Sequence, residues 1–264
     1  MNATEAYEAG QLAEAVTAAL ADVKKHPTDV GRRGFLCELL CFAGDLERAD
    51  KQLDAIGHQS PDAMVGVALF RQLVRAEQAR REFFTAGRVP EFAGLPTAAQ
   101  KLQLEASILL REGNAAEANT LLAQAEELRP ACKGTCDGNA FDDIRDLDDL
   151  ISASFEVLTT TGKYYWIAAE RVDSIEFRPP ESPRDLLWRA AHMVVRDGPD
   201  GEVYLPVLYV DSSSHKDEGI QLGRATDWNG GEDEPVRGVG QRMFLVGEED
   251  QSILSLGQID FEMS

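Results

Sequence analysis

The side chains that could act as bases, ligands or nucleophiles in this chain are few, and their spacing limits what they can do. The four histidines, His26, His58, His192 and His215, are scattered without a paired spacing. Cys37 and Cys41 lie four apart in FLCELLCFAG, where the Phe and Leu neighbours point to core packing of small apolar thiols. Cys132 and Cys136 form a C-x3-C pair, for which zinc would need two further ligands. Asp142, Asp143, Asp146, Asp148 and Asp149 cluster, but without the alternating ligands and Gly of a calcium loop. A solvated helix face is the expectation there. Ser212, Ser213, Ser214 and His215 are adjacent in a polar loop, whereas a nucleophile and its base meet from a defined geometry. His192, just before a predicted hairpin strand, reads as a structural histidine rather than a general base. Gly238-Val-Gly240 lacks the strand–helix context of a nucleotide site and reads as a tight turn. There is no Walker A loop, G-x-S-x-G elbow or H-E-x-x-H. No catalytic residue, metal ligand or cofactor site is therefore assigned. Trp166, Trp188 and Trp228 are expected in the core by default. Arg184, Asp185, Arg189, Asp227 and Arg242 are expected to form ion pairs that organise the loops around them.

The elements that must carry these residues change character along the chain. The chain has 264 residues, 44% of them hydrophobic, enough for one or two domains with a real core. In the first half, Gly10, Gly44 and Gly113 each sit in a related segment, AGQLAEAV, AGDLERAD and EGNAAEAN. Pro27, Pro61 and Pro130 keep the same beat, that of a tetratricopeptide helix–turn–helix unit. Gly would end the first helix of each pair in the left-handed conformation, and Pro would stop the second. Ala13, Ala15, Ala49, Ala116 and Ala118 would let paired helices approach. Ser60-Pro61, Thr97-to-Gln100 and Asn114-to-Glu117 read as helix starts. Residues 62–86 read as one long helix with Val67, Phe70, Leu73 and Val74 on its apolar side, followed by a loop at 88–96.

After Pro130 the texture becomes β, apart from a helix predicted over 141–158 with an acidic first turn. KYYWIAAERV and SIEFRPP read as strands, AHMVVRDGPDGEVYLPVLYV as a hairpin, and residues 238–262 as two further strands. The fold class is α+β: a tetratricopeptide-like helical repeat domain over 1–130, then an acidic β-rich domain over 131–264. The latter is expected to be a small antiparallel sheet or a partly closed barrel. The formal net charge is −20, with 14 basic and 19 acidic residues before position 131 and 12 against 27 after it. Such a chain repels phosphate backbones and anionic headgroups, which argues against nucleic acid and membrane partners. The N-terminal stretch has no basic region or continuous apolar run, so a cytoplasmic location with reduced thiols is expected.

The segments GKYYWIAAERV, IEFRPPESPRDLLWRAAHMVV, LPVLYV, LGRATDWNG and GVGQR occur in that order, and together they resemble the ImpE/SciE/TagJ family of bacterial type VI secretion accessory proteins. The positions carrying the resemblance are Tyr164, Tyr165, Trp166, Arg184, Asp185, Trp188, Thr226, Asp227, Trp228, Gly238, Gly240, Gln241 and Arg242. The chain departs from the family pattern at Ala168-Ala169 and in FDDIRDLDDLIS. The resemblance implies a non-enzymatic adaptor. It would bind the small subunit of the contractile sheath through a helix near that subunit's N-terminus, and so influence sheath handling by the AAA+ ATPase that recycles it. A rival expectation is an enzyme or small-ligand binder built on Trp188, His192, Asp227 and Arg242, and a third is a self-associating architectural subunit.

Overall fold

A computed structural model describes residues 1–262. The first half is helical: α1 (Ala3–Glu8), α2 (Leu12–Lys25), α3 (Val30–Phe42), α4 (Leu46–Gln59) and α5 (Met64–Ala86). A two-residue strand, β1 (Glu91–Phe92), lies within the expected loop, and α6 (Ala98–Arg111) and α7 (Ala115–Leu128) follow. Gly10, Gly44 and Gly113 hold φ of +80°, +80° and +83°, the left-handed conformation that ends α1, α3 and α6. Ala15, Ala49 and Ala118 are fully buried where paired helices meet. Ala13 and Ala116 are exposed instead, because a two-residue step turns a side chain to another face of a helix.

Thr97 and Gln100 form the expected capping box, whereas the side chains of Ser60 and Asn114 cap nothing. Cys37 and Cys41 lie in the core as expected, 0% and 2% exposed. In α5, Phe70, Leu73 and Val74 are buried, and the same face continues through Glu77, Arg80 and Phe83.

The second half contains β2 (Gly134–Cys136), β3 (Asn139–Phe141), β4 (Ile144–Asp146), β5 (Ser154–Thr159), β6 (Tyr164–Ala168), β7 (Val172–Phe177), β8 (Trp188–Val195) and β9 (Asp200–Pro206). A short helix, α8 (Glu218–Gln221), precedes β10 (Thr226–Asn229), β11 (Arg237–Gly240), β12 (Met243–Val246), β13 (Glu249–Ser252) and β14 (Gln258–Phe261). Nine strands form one open sheet in the order β1-β6-β5-β9-β8-β7-β14-β2-β3. Its pairs are antiparallel except β1 with β6. A three-stranded sheet, β13-β12-β4, and the ribbon β10-β11 flank it. The class is α+β as expected, but the sheet is neither small nor closed.

The helix expected over 141–158 is absent. That stretch carries β3's end, β4, a 3-10 turn at Asp149–Ile151 and most of β5. The physical reason is visible in its burial. Ile144, Asp146, Asp148 and Leu150 are buried while the residues between them are half-buried, the period of an extended chain. Of the acidic residues that suited a helix dipole, Asp146 lies beside the buried Arg242, and Asp143 and Asp148 pair with Arg129 and Arg237, while Asp142 is exposed. Gly238-Val-Gly240 likewise lies in strand β11 rather than a turn.

Helix α5 lies across one face of the sheet, with Phe83 edge-on to Trp166 at 4.8 Å. A continuous apolar core runs from Leu12 and Leu36 through Leu73 and Phe83 to Ile175 and Ile259.

Candidate functional site

Four of the thirteen positions carrying the sequence resemblance, Tyr164, Trp166, Trp188 and Arg242, meet at the seam between α5 and the sheet. Alternation along β6 points Tyr164 and Trp166 at α5. Glu156, from β5, is at the centre and has no exposure. Arg80 on α5 grips it with Nε and Nη2 at 2.9 and 3.0 Å, and Arg242 and the Tyr164 hydroxyl donate to the same carboxylate. Trp166 donates its indole N–H to the Tyr164 hydroxyl at 2.5 Å. Burial by itself would raise the Glu156 pKa, but Arg80 and Arg242 override it and hold the carboxyl at about 2.

Around this centre, Arg80 also donates to the Leu208 carbonyl at 3.1 Å, and Trp188 donates to Glu77 at 3.3 Å. Arg242 Nε lies 3.5 Å from Asp146, whose carboxyl burial pushes up to about 7. Tyr209 reaches Asp146 at 3.0 Å and the Met243 carbonyl at 3.1 Å. Asp148 accepts from Arg237 at 2.8 Å and from the Gly238 N–H at 3.1 Å. A Cβ on Gly238 would overlap the Tyr209 ring, so glycine is needed for this close approach.

The remaining family-motif positions divide between pinning and exposure. The Thr226 hydroxyl donates to the Gln241 carbonyl at 2.7 Å, and Gln241 donates to the Gly223 carbonyl at 2.9 Å. Arg184 lies 3.6 Å from Asp185, and Asp185 accepts the Ser182 N–H at 2.9 Å. Trp228 is not in the core: it is 39% exposed, with its ring 5.9 Å from that of Tyr209. Tyr165 faces away from α5. Among the described residues Arg189 makes no ion pair; its guanidinium instead satisfies the carbonyls of Arg178 and Leu256 at 2.9 and 2.8 Å.

The arrangement joins α5 to the sheet as a clamp. The cavity beside Glu77, Arg80 and Trp188 is about 20 Å3, room for about one water. The four residues of the rival enzymatic expectation are dispersed. Trp188 and Arg242 are buried in the clamp. His192 is partly exposed on β8 with Nε2 2.7 Å from Asp200, and the exposed Asp227 is 3.8 Å from His215. That grouping has lost its basis.

Sequence reading missed Glu77, Arg80, Glu156 and Tyr209, and placed Asp146 on a solvated helix face. Two signals were present. Glu156 is a lone charge inside the apolar strand SFEVLT, and Arg80 continues the helical face of Leu73, Val74 and Glu77. The Asp cluster is corrected accordingly: Asp146 and Asp148 are 1% and 2% exposed, not a solvated helix face.

A second titrating group sits where α3 meets the 183–186 turn. Burial raises Glu38 to about 7, against the opposing pull of Arg184. The folded state then holds this proton more tightly than the unfolded chain does. Stability from this group is fully present below the unfolded value near 4.5 and is lost as pH rises towards 7. Urea midpoints compared at pH 5 and pH 7.5 are expected to fall on going up, and less so in Glu38→Gln; an unchanged slope in the variant would remove Glu38 as a source.

The fold and the clamp define an α+β protein in which paired helices are fastened to an open sheet by a buried ionic network that includes Tyr164, Trp166, Trp188 and Arg242. Residues 138–260 match the family model described as ImpE protein. The type VI secretion system accessory component TagJ of Pseudomonas aeruginosa is 30% identical over 262 residues, covering 99% of this chain and 92% of that one. The crystal structure of protein VPA1032 from Vibrio parahaemolyticus superposes with a TM-score of 0.92 at 29% identity, covering 99% and 98% of the two chains. The chain belongs to the ImpE/TagJ family of type VI secretion accessory components.

Proposed function

We propose that this protein is a non-enzymatic, cytoplasmic adaptor of a type VI secretion system. In this reading it grips a helix near the N-terminus of the small contractile-sheath subunit and thereby modulates how the recycling AAA+ ATPase handles the sheath. The observation that carries the reading is the likeness to TagJ along almost the whole chain. The burial of Tyr164 and Arg242 in a structural clamp supports a holding role for these two motif residues rather than a catalytic one. We read the helical pairs of residues 1–130 as a tetratricopeptide-like unit, an architecture suited to protein partners, and residues 131–264 as a β-rich unit fastened to it. The net charge of −20 favours a partner with basic residues and disfavours nucleic acid and anionic membrane.

The test is a pull-down with the small sheath subunit of the same locus, with and without its N-terminal helix. Recovery is expected only with the helix present. Equal recovery of both forms would overturn this docking mode.

A further inference from the structure

The Tyr209 hydroxyl has one hydrogen but two acceptors in reach, Asp146 Oδ1 at 3.0 Å and the Met243 carbonyl at 3.1 Å. It also accepts the Met243 N–H at 3.1 Å. Asp146 Oδ1 accepts the Asp148 N–H at 2.8 Å, and the Met243 carbonyl accepts the Leu147 N–H at 3.0 Å. Two arrangements of hydrogens fit these atoms. With Asp146 ionised, Tyr209 donates to Oδ1 and the Met243 carbonyl keeps the Leu147 N–H. With a proton on Oδ1, that proton is donated to the Tyr209 oxygen, and the Tyr209 hydrogen turns to the Met243 carbonyl. No heavy atom has to move between the two, and every backbone group keeps a partner in both.

The surroundings bear on the ionised form. Asp146 ends β4, is 1% exposed, and pairs with Phe244 of β12. The titratable and charged groups that face it are Arg242, just before β12, Asp148, on its own segment, and Tyr209, after β9, with Glu156 of β5 on the far side of Arg242. Among the described residues, Asp146 Oδ2 has no hydrogen-bond partner, and neither has Arg242 Nε, 3.5 Å away. Arg242 turns its Nη2 to Glu156 instead. An ionised Asp146 is thus without water and shares its cation with a second carboxylate.

We infer that Asp146 is a proton-operated latch between the three-stranded sheet β13-β12-β4 and the clamp, closing β4 and β12 onto Arg242 and Tyr209 when protonated and letting that edge open more readily when ionised. The latch is a property of the fold and does not depend on the adaptor reading. The sign follows from linkage. Burial raises the closed-state carboxyl to about 7, against the pull of Arg242, whereas a hydrated Asp146 in the opened edge titrates near 3.8. Closing therefore takes up a proton from solvent between those values, and opening returns it. Closure is favoured most below 3.8, weakens as pH rises through the window, and levels off above 7.

Native-state hydrogen exchange on the full chain tests this, with rates corrected for the intrinsic pH dependence of exchange. The opening constant of the β4 and β12 amides is expected to rise by up to about tenfold per pH unit between pH 5 and 7 and then level off. Amides of the β8–β9 hairpin, away from Asp146, should show a smaller slope. Folded Asp146→Asn should lose the extra slope, and Glu38→Gln should keep it. Tyr209→Phe should move the levelling point upward, because the ionised form loses the stronger, charge-assisted hydrogen bond.

An equal slope in both regions, or an unchanged slope in folded Asp146→Asn, would overturn the latch. An unchanged levelling point in Tyr209→Phe would overturn the relay through Tyr209. Should Asp146→Asn fail to fold, the wild type still decides. Carbon NMR of the protein with labelled aspartate carboxyls is expected to show a midpoint near neutrality, and midpoints below 5 for every aspartate would overturn the latch.

Discussion

Glu156→Ala is expected to lower stability by about 3–5 kcal/mol, because it leaves two buried guanidinium groups without their shared counter-charge. Arg80 and Arg242 are 2% and 0% exposed, so neither can recover hydration without opening the seam. Tyr164 loses its acceptor in the same step, and the Trp166 indole loses the oriented hydroxyl it donates to. For a chain of this size the thermal midpoint should fall by roughly 10 °C. Glu156→Gln is expected to recover little, since it keeps the shape but removes the charge.

The effect should depend on pH with a defined sign. The wild-type carboxyl titrates at about 2, below its unfolded value near 4.5. Its contribution is therefore fully present above 4.5 and is lost as pH falls through that window towards 2. Wild type and Glu156→Ala should converge in stability at the acid end and differ most near neutrality. Chemical denaturation at several pH values measures this. A loss under 1 kcal/mol at pH 7 would mean that the clamp is not what fastens α5 to the sheet.

Gly240→Ala is expected to be the other severe change. Gly240 holds φ of +90°, where an L side chain costs about 1–2 kcal/mol. A Cβ there would also overlap the Ala225 carbonyl, a backbone group that cannot rotate away. Overpacking adds about 1–3 kcal/mol. The Gly240 N–H donates to the Ser212 hydroxyl at 2.7 Å, and its carbonyl accepts the Tyr209 N–H at 3.0 Å. Displacing Gly240 thus disturbs Tyr209, the ring beside Trp228. We expect a fall of several degrees in thermal midpoint, with a rise in exposure of Trp228 to acrylamide quenching relative to Trp166 and Trp188. A midpoint unchanged within a degree would show that the ribbon β10-β11 can shift without cost.

The helical half was legible because its signals are local. Glycine at the end of one helix and proline at the end of the next report backbone conformations decided within a few residues. The capping box at Thr97 and the apolar face of α5 are likewise short-range. Strands β6 to β9 were legible for a similar reason: aromatic and β-branched runs bounded by prolines and a DGPDG turn. The segment 141–158 was misread because its aspartates have the same composition whether they cap a helix or receive an arginine or tyrosine from elsewhere in the chain. Only partners distant in sequence decide between the two. Arg237 reaches Asp148 across 89 residues, and Tyr209 reaches Asp146 across 63.

By itself, then, the sequence determined the α+β class, the beat of the helical pairs, the net charge and the ordered motif set by which the chain resembles its family. Tertiary structure alone decided what those motif residues do. Glu156 draws Arg80 from 76 residues before it and Arg242 from 86 after it into one buried cluster. A contact of that kind leaves no periodic trace, since each residue needs only to point the right way from its own element. The same alternation on β6 that sends Tyr164 and Trp166 into the clamp turns Tyr165 to the opposite face of the sheet. The difference between joining the clamp and facing away from it is one residue of register, and it becomes visible only when the strands are paired.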